Sequence, residues 1–388
     1  MRDIVSITET RPLPFGDFLV VTVLMNMQIG SAAFAPAKGI SSTSATSATG
    51  LLPRVSVALC VYNGERYLPS QLDSLLAQEG VDLEVVVVDD CSTDGSLALL
   101  RQYAARDGRI RVHANTQNLG HLHSFEKCMA LCAHPLIAPC DQDDVWHPRK
   151  LATLAAALGD ADLAYCNSAY IDGEGRPLGR CISDDLKRMH SGRDPLKYIF
   201  QNTVSGHALL VRREVFDASL PFPSMLYHDW WLAMRAAAGN GVVYVDEPLV
   251  QFRRHVSAFS PLGKKKLLSR RERKALKRQQ RAESPDVKNY WPGSPDRKWV
   301  EERLYLMHAM GETDWRCSDD ARNWEVALEE AIRGDRRSLL RMAWHNRTSL
   351  PPFKGASWVN ALQFFKRARR KLRRAAYQEP VPGRLFRA

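Results

Sequence analysis

Acidic side chains gather at three places in this 388-residue chain: Asp89-Asp90, the run Asp141-Gln142-Asp143-Asp144, and Asp229 beside Trp230 and Trp231. A lone Asp in a turn is usually a cap, and Asp94, within Ser92-Thr93-Asp94-Gly95, reads that way. The 141–144 run asks for more. Three carboxylates within four residues repel one another unless a cation sits among them. A divalent metal is such a cation and takes oxygen ligands. If it also held a diphosphate, it would stabilise the negative charge of a departing group. Asp229 has different neighbours. Indole faces stack on the apolar face of a sugar ring, and a carboxylate beside them can take a proton from a hydroxyl. The plainer alternative for Trp230 and Trp231 is core packing. His255, in Phe252-Arg253-Arg254-His255, is placed to complete a metal site.

These residues need elements to hold them. Residues 55–61 (VSVALCV) form a short apolar, β-branched run, the mark of a buried strand. Tyr62-Asn63-Gly64 ends it, and Leu68, Leu72, Leu75 and Leu76 then recur at helical spacing. Residues 83–88 (LEVVVV) predict a second buried strand, ending at Asp89-Asp90, with a helix over 96–106 behind it. A strand at 110–113, a helix over 124–132 and a strand at 136–138 follow, the last running into Asp141. This alternation predicts an α/β architecture with a parallel sheet and helices on both faces. Ligands in such sheets sit outside the carboxyl ends of the strands. Both acidic clusters fall there.

Composition narrows the choices. A 45% hydrophobic content excludes a wholly disordered chain, and a mean hydropathy of −0.31 excludes a polytopic membrane protein. The turn after the first strand reads YNGERYL, with one glycine, so the dinucleotide-binding GxGxxG is absent, as is a phosphate-binding GxxxxGK[ST]. The eight cysteines include no CxxC pair and no zinc spacing, which suits a reducing compartment. Residues 1–261 hold 23 basic and 28 acidic side chains, and residues 262–388 hold 31 and 15. The whole excess of positive charge therefore belongs to the last third, where residues 263–281 and 361–374 are strongly basic. Leu362, Phe364, Phe365 and Leu372 interleave the second stretch. That pattern suits an anionic membrane surface better than nucleic acid, for which no reading module is present. Residues 18–37 carry no charge and could anchor in a bilayer or form a loosely ordered extension. Residues 38–50 are a Ser/Thr/Ala/Gly linker. The expected organisation is an N-terminal extension over 1–52, a catalytic domain over 53–261, and a basic, mostly helical region over 262–388.

The stretches VSVALCVYNGERYLPSQLDSLLAQ, VVVVDDCSTDGS, NTQNLGHLHSFEKCM, PCDQDDVWHPRK, VSGHALLVRR, YHDWW and FRRH occur in an order that resembles the family 2 glycosyltransferases of the GT-A fold, most nearly their bacterial rhamnosyltransferase-like branch. The resemblance covers roughly residues 54–260. It implies a cytoplasmic enzyme, working at the inner face of the cytoplasmic membrane. Such an enzyme transfers a sugar with inversion from a nucleoside diphosphate donor to a glycan or lipid-linked acceptor in surface polysaccharide synthesis. Carried over by position, Cys60, Tyr62 and Asp90 form the base and ribose pocket, with Asn63 in the same donor-binding turn. Asp141 and Asp143 form the DxD pair. Asp143 and His255 hold Mg²⁺ or Mn²⁺, and Asp229 is the general base, with Trp230 and Trp231 at the acceptor. Cys60 departs from the commoner Thr, Pro or Ser, and His121 and His123 occupy a loop that often carries small or basic residues. The rival expectation is a catalytically silent nucleotide-binding or membrane scaffold protein.

Overall fold

A computed structural model describes residues 51–255, 295–350 and 357–375, apart from Lys187, Met225, Asp314 and Arg316. The uncharged stretch 18–37, the linker 38–50, the basic stretch 263–281 and the expected boundary at 261/262 lie outside the described residues.

Four parallel strands open the domain: β1 (Arg54–Val61), β2 (Asp82–Asp89), β3 (Ile110–Ala114) and β4 (Leu136–Cys140), in spatial order β3-β2-β1-β4. Helices α1 (Leu68–Leu76), α2 (Ser96–Arg106) and α3 (Gly120–Leu131) make the crossovers. The strands are continuous apolar runs because helices cover both faces. Val55, Val57, Leu59 and Val61 enter one core cluster, and Ala58 enters the other.

Beyond β4 the sheet becomes mixed. The chain continues through β5 (Val145–Trp146), α4 (Lys150–Leu158), β6 (Leu163–Ile171), β7 (Pro177–Cys181), α5 (Ile182–Leu186) and α6 (Leu196–Phe200). Then come β8 (Leu209–Arg212), α7 (Arg213–Asp217), α8 (His228–Ala238) and β9 (Val242–Arg253). Strand β8 lies antiparallel between β4 and β6, while β9 runs parallel to β6. Two-residue β5 pairs with the end of β9, Val145 opposite Gln251 and Trp146 opposite Val250. That short pairing brings the 141–144 turn beside Arg253 and His255.

Among the described residues four C-terminal helices follow: α9 (Pro295–Gly311), α10 (Ser318–Arg333), α11 (Arg337–His345) and α12 (Ser357–Ala375). They share one core with α6 and α8. Phe200 of α6 meets Trp324 at 5.1 Å and Phe364 at 4.6 Å between ring centroids, and Trp231 of α8 meets Trp315 at 5.5 Å. Buried Arg303 lies between Trp230 and Trp299, 5.2 and 5.0 Å from their rings. In α12 the residues Ala361, Phe364, Ala368, Leu372 and Ala375 follow helical spacing and are all buried. Phe364 and Leu372 therefore serve the interior, which corrects the expectation that they meet lipid.

Candidate active site

Three loops at the carboxyl ends of β1, β2 and β4 are laced together by side chains. Tyr62 N–H donates to Gln142 Oε1 at 2.8 Å, and Gln142 Nε2 donates back to Tyr62 O at 3.0 Å. Asn63, at φ +51°, accepts from Thr93 N–H at 2.8 Å and donates its own N–H to Ser92 Oγ at 3.0 Å. A Cβ at Gly64 would fall 2.5 Å from Gln142 Oε1 and would push that side chain off its two bonds to Tyr62. Asp94 accepts from Ser96 N–H and Glu65 N–H, at 3.0 and 3.1 Å, so it ties two loops as well as capping one helix. The exposed Tyr62 ring stands at this rim.

Asp90 is buried, and its first role is within the chain. Oδ1 accepts from Asn115 Nδ2 at 2.8 Å and Leu119 N–H at 2.7 Å, and Oδ2 accepts from Gly120 N–H at 2.9 Å. The carboxylate thereby supplies the N-terminus of α3 with the acceptor that its own Leu119 N-cap lacks. This explains why α3 begins at Gly120 rather than at 124. Cys60 lies on the floor nearby. Burial raises its thiol pKa, and Cys128, Asp141 and Asp90 add to that.

The 141–144 run splits into unequal carboxylates. Asp143 Oδ2 lies 2.6 Å from His255 Nε2, so the expected pair is brought together. Arg253 holds the turn through its Nε to Asp143 O at 2.8 Å and its N–H to Asp144 Oδ1 at 2.9 Å. Asp141 and Asp144 converge instead on His207, whose Nδ1 is 3.6 Å from Asp141 Oδ2 and 3.7 Å from Asp144 Oδ2. Burial acts to raise Asp141, but His207, His121 and His228 outweigh it and hold the carboxyl below its ordinary range. Fully buried Asp144 goes the other way: burial, then Asp143 and Asp141, push it well up. Lys150 is buried behind this layer over the Trp146 ring, donates to His207 O at 2.6 Å, and is lowered by burial to about 7.

Asp141, Asp144 and His207 offer one ligand atom each within 4.8 Å of one another, and Asp144 Oδ2 is buried with no hydrogen-bond partner. Hard oxygen donors with imidazole nitrogens suit Mg²⁺ or Mn²⁺. The residues present therefore fit a divalent cation, held by Asp143 with His255, by Asp141 and Asp144 with His207, or across both sets.

Across from this layer stands Asp229, in the first turn of α8. Oδ2 accepts from Gly206 N–H at 3.1 Å, while Oδ1 is buried with no partner. Burial raises its pKa to about 7, with the Trp230 and Gly206 amides opposing and Asp141 adding. A carboxylate half protonated near neutral pH, with one oxygen unclaimed, is equipped to take a proton.

With this geometry in view, sequence and structure comparisons fall into place. Residues 56–220 match the sequence model of the Glycosyl transferase family 2. This segment is similar to family 2 glycosyltransferase domains. EpsH of Bacillus subtilis, whose name places it provisionally among glycosyltransferases, is 31% identical over 228 residues, 55% of this chain and 65% of its own length. TuaG of Bacillus subtilis, provisionally named for teichuronic acid biosynthesis, is 32% identical over 136 residues, 34% of this chain and 54% of its own length. The chain thus spans less than two thirds of each of these relatives. Staphylococcus aureus TarS 1–349, solved with UDP-GlcNAc, superposes with a TM-score of 0.50 at 17% identity, over 86% of this chain and 82% of that one. That likeness shows the fold: a curled, largely parallel GT-A sheet followed by C-terminal helices.

Trp230 and Trp231, beyond the matched residues 56–220, behave differently from expectation. Each is only 8% exposed. Trp230 Nε1 donates to Tyr198 O at 2.7 Å, and Trp231 Nε1 to Ser219 O at 3.1 Å. Both indoles are fixed in the core beneath α8, so neither offers a free face to an acceptor ring. Their rings pack instead on Arg303 and Trp315. Sequence reasoning gave no role to Lys150, His207 or His228, and counted Asp144 in the acidic run without naming it a ligand. The available signal was Gly206-His207, small residue then imidazole, immediately before a strand that runs to the sheet centre.

Proposed function

We propose that this protein is a metal-dependent, inverting glycosyltransferase of surface polysaccharide synthesis, moving a sugar from a nucleoside diphosphate donor to a glycan or lipid-linked acceptor. The observation that carries the reading is the opposition of two unlike carboxylate sites. Asp229 is raised to about 7 and has an unclaimed oxygen. The 141–144 layer, by contrast, gathers carboxylates and imidazoles suited to a cation. Inversion needs one in-line displacement: the acceptor oxygen bonds to the anomeric carbon as the carbon–diphosphate bond breaks. Asp229 accepts the hydroxyl proton at Oδ1. A divalent cation, when bound, supplies positive charge to the diphosphate. The loops around Tyr62, Asn63 and Cys60 orient the nucleotide, and Asp90 keeps the 115–120 loop in place beside it.

The acceptor's setting is the inner face of an anionic membrane. Neither α11 nor α12 contains a carboxylate, and the two helices pack together. Trp344 and Trp358 are 49% and 52% exposed, and Leu340 and Leu362 are exposed on the same helices beside Arg337, Arg341, Lys366, Arg369, Arg370 and Arg373. Exposed tryptophans among basic side chains suit an interfacial contact. Among the described residues, no helix is long and apolar enough to cross a membrane.

The test is a panel of UDP-, dTDP- and GDP-sugars, dTDP-rhamnose and UDP-GlcNAc among them, with Mg²⁺ or Mn²⁺. Metal-dependent release of one nucleoside diphosphate that is lost in Asp229→Asn supports the reading. Release by neither metal with any donor, even with a lipid-linked acceptor fraction present, refutes it.

A further inference from the structure

The imidazole beside the proposed base is buried without a partner. His228 is the first residue of α8, adjacent to Asp229, and neither Nδ1 nor Nε2 has a hydrogen bond. Its ring stacks on Phe125 at 4.3 Å with a 24° interplanar angle and lies 5.5 Å from the His121 ring. A Cβ at Gly206 would fall 2.7 Å from His228 Nε2 and 3.8 Å from Asp229 Cβ. Asp229 Oδ2 accepts from Gly206 N–H, so the imidazole and the carboxylate both border residue 206, where any side chain would collide with the ring. The charge of Asp141 reaches both His228 and Asp229.

An unpaired buried polar atom costs about 1–3 kcal/mol, and here two sit on one ring. A core position could carry Phe at no such cost, and Phe125 already supplies the stacking partner. Burial lowers the His228 pKa to about 3, so the ring is neutral across the physiological range. A neutral imidazole offers one donor and one acceptor, which matches a hydroxyl. A diphosphate asks for donors and positive charge and is poorly served by it.

We propose that His228 is a specificity-determining residue for the transferred sugar, hydrogen-bonding ring hydroxyls of the pyranose held between Asp229 and the 141–144 carboxylates, with Phe125 fixing the imidazole plane. The proposal rests on the glycosyl-transfer reading above.

Calorimetric titration with Mn²⁺ tests it, using UDP, dTDP, GDP and their sugar nucleotides on the wild type, His228→Phe and His228→Gln. Phe keeps the stack and the volume, and Gln restores a donor and an acceptor. For the sugar nucleotide that the wild type binds best, His228→Phe is expected to weaken affinity about tenfold or more, the equivalent of one lost hydrogen bond of about 1.4 kcal/mol. Affinity for the matching nucleoside diphosphate should stay unchanged, and His228→Gln should recover part of the loss. Unchanged sugar-nucleotide affinity in His228→Phe overturns the proposal, and so does an equal loss for both ligands. If His228→Phe does not fold, His228→Gln carries the test, with a changed ranking among sugars of one nucleotide expected and an unchanged ranking overturning it. A wild-type protein that binds no nucleotide at all refutes the glycosyltransferase reading instead, before any substitution is made.

Discussion

Asp229→Asn should make the protein more stable and far less active. The folded carboxyl sits at about 7 against an ordinary 3.8, because burial disfavours its ionised form. A raised carboxyl pKa means that the folded state binds the proton more tightly than the unfolded chain. Ionisation therefore destabilises the fold. The penalty is absent below about pH 4, grows between 4 and 7, and is constant above 7. At 1.36 kcal/mol per pKa unit the shift amounts to at most about 4 kcal/mol, and partial exposure of the residue argues for about 2–3. Asn keeps an oxygen for the Gly206 N–H but has no charge to bury. Urea unfolding at pH 8 should show Asp229→Asn more stable than wild type by that amount, with the gap closing near pH 4. Turnover at pH 8 should fall by roughly 10²–10⁴, the usual contribution of a general base. The wild-type rate should rise with pH through a limb near 7 that the variant lacks. A variant that is less stable at pH 8 and keeps near-normal turnover would refute the argument, since Asp229 would then be a helix-capping acceptor for the Gly206 loop and the base would lie elsewhere.

Other substitutions separate the remaining roles. Asp143→Asn and His255→Ala should each weaken Mn²⁺-dependent binding of a nucleoside diphosphate by tenfold or more, read by calorimetry with and without metal; metal-dependent affinity equal to the wild type's in both variants would move the cation to Asp141, Asp144 and His207. Asp90→Ala leaves the Leu119 N–H without its acceptor and reduces Asn115 Nδ2 and Gly120 N–H to their second partners, Ser124 Oγ and Asn118 Oδ1; it should cost about 1–3 kcal/mol, with faster hydrogen exchange at the Leu119 and Gly120 amides. Trp344→Ala with Trp358→Ala should reduce sedimentation with phosphatidylglycerol vesicles without lowering the melting temperature. Phe364→Ala should instead destabilise the fold by about 3–5 kcal/mol, because its ring packs on Phe200 and Trp324.

The sequence made the first half of the sheet legible because buried parallel strands are unmixed apolar runs with turn residues at their ends. Strands β1 to β4 and helix α2 stand where residue pattern placed them. Helix α3 begins one turn early because its cap, Asp90, is thirty residues away, and no local pattern carries a cap supplied from another loop. Strand β6 passed unnoticed because LAYCNSAYI mixes polar Asn167 and Ser168 into a buried strand, and those side chains find Ser183 and His207 across the fold.

The candidate site divides along the same line. Residue types and neighbours put Asp143, Asp229 and His255 forward as candidates, because charge repulsion and aromatic company can be read one residue at a time. Whether a carboxylate ends as ligand, cap or base is decided by what packs around it. Asp141 is held down by imidazoles, Asp144 is pushed up by burial, and Asp90 is consumed by backbone amides. The tryptophans of YHDWW show the converse. Their spacing after Asp229 is compatible with a sugar platform or with a helix interior, and only the hydrogen bonds to Tyr198 O and Ser219 O decide for the interior.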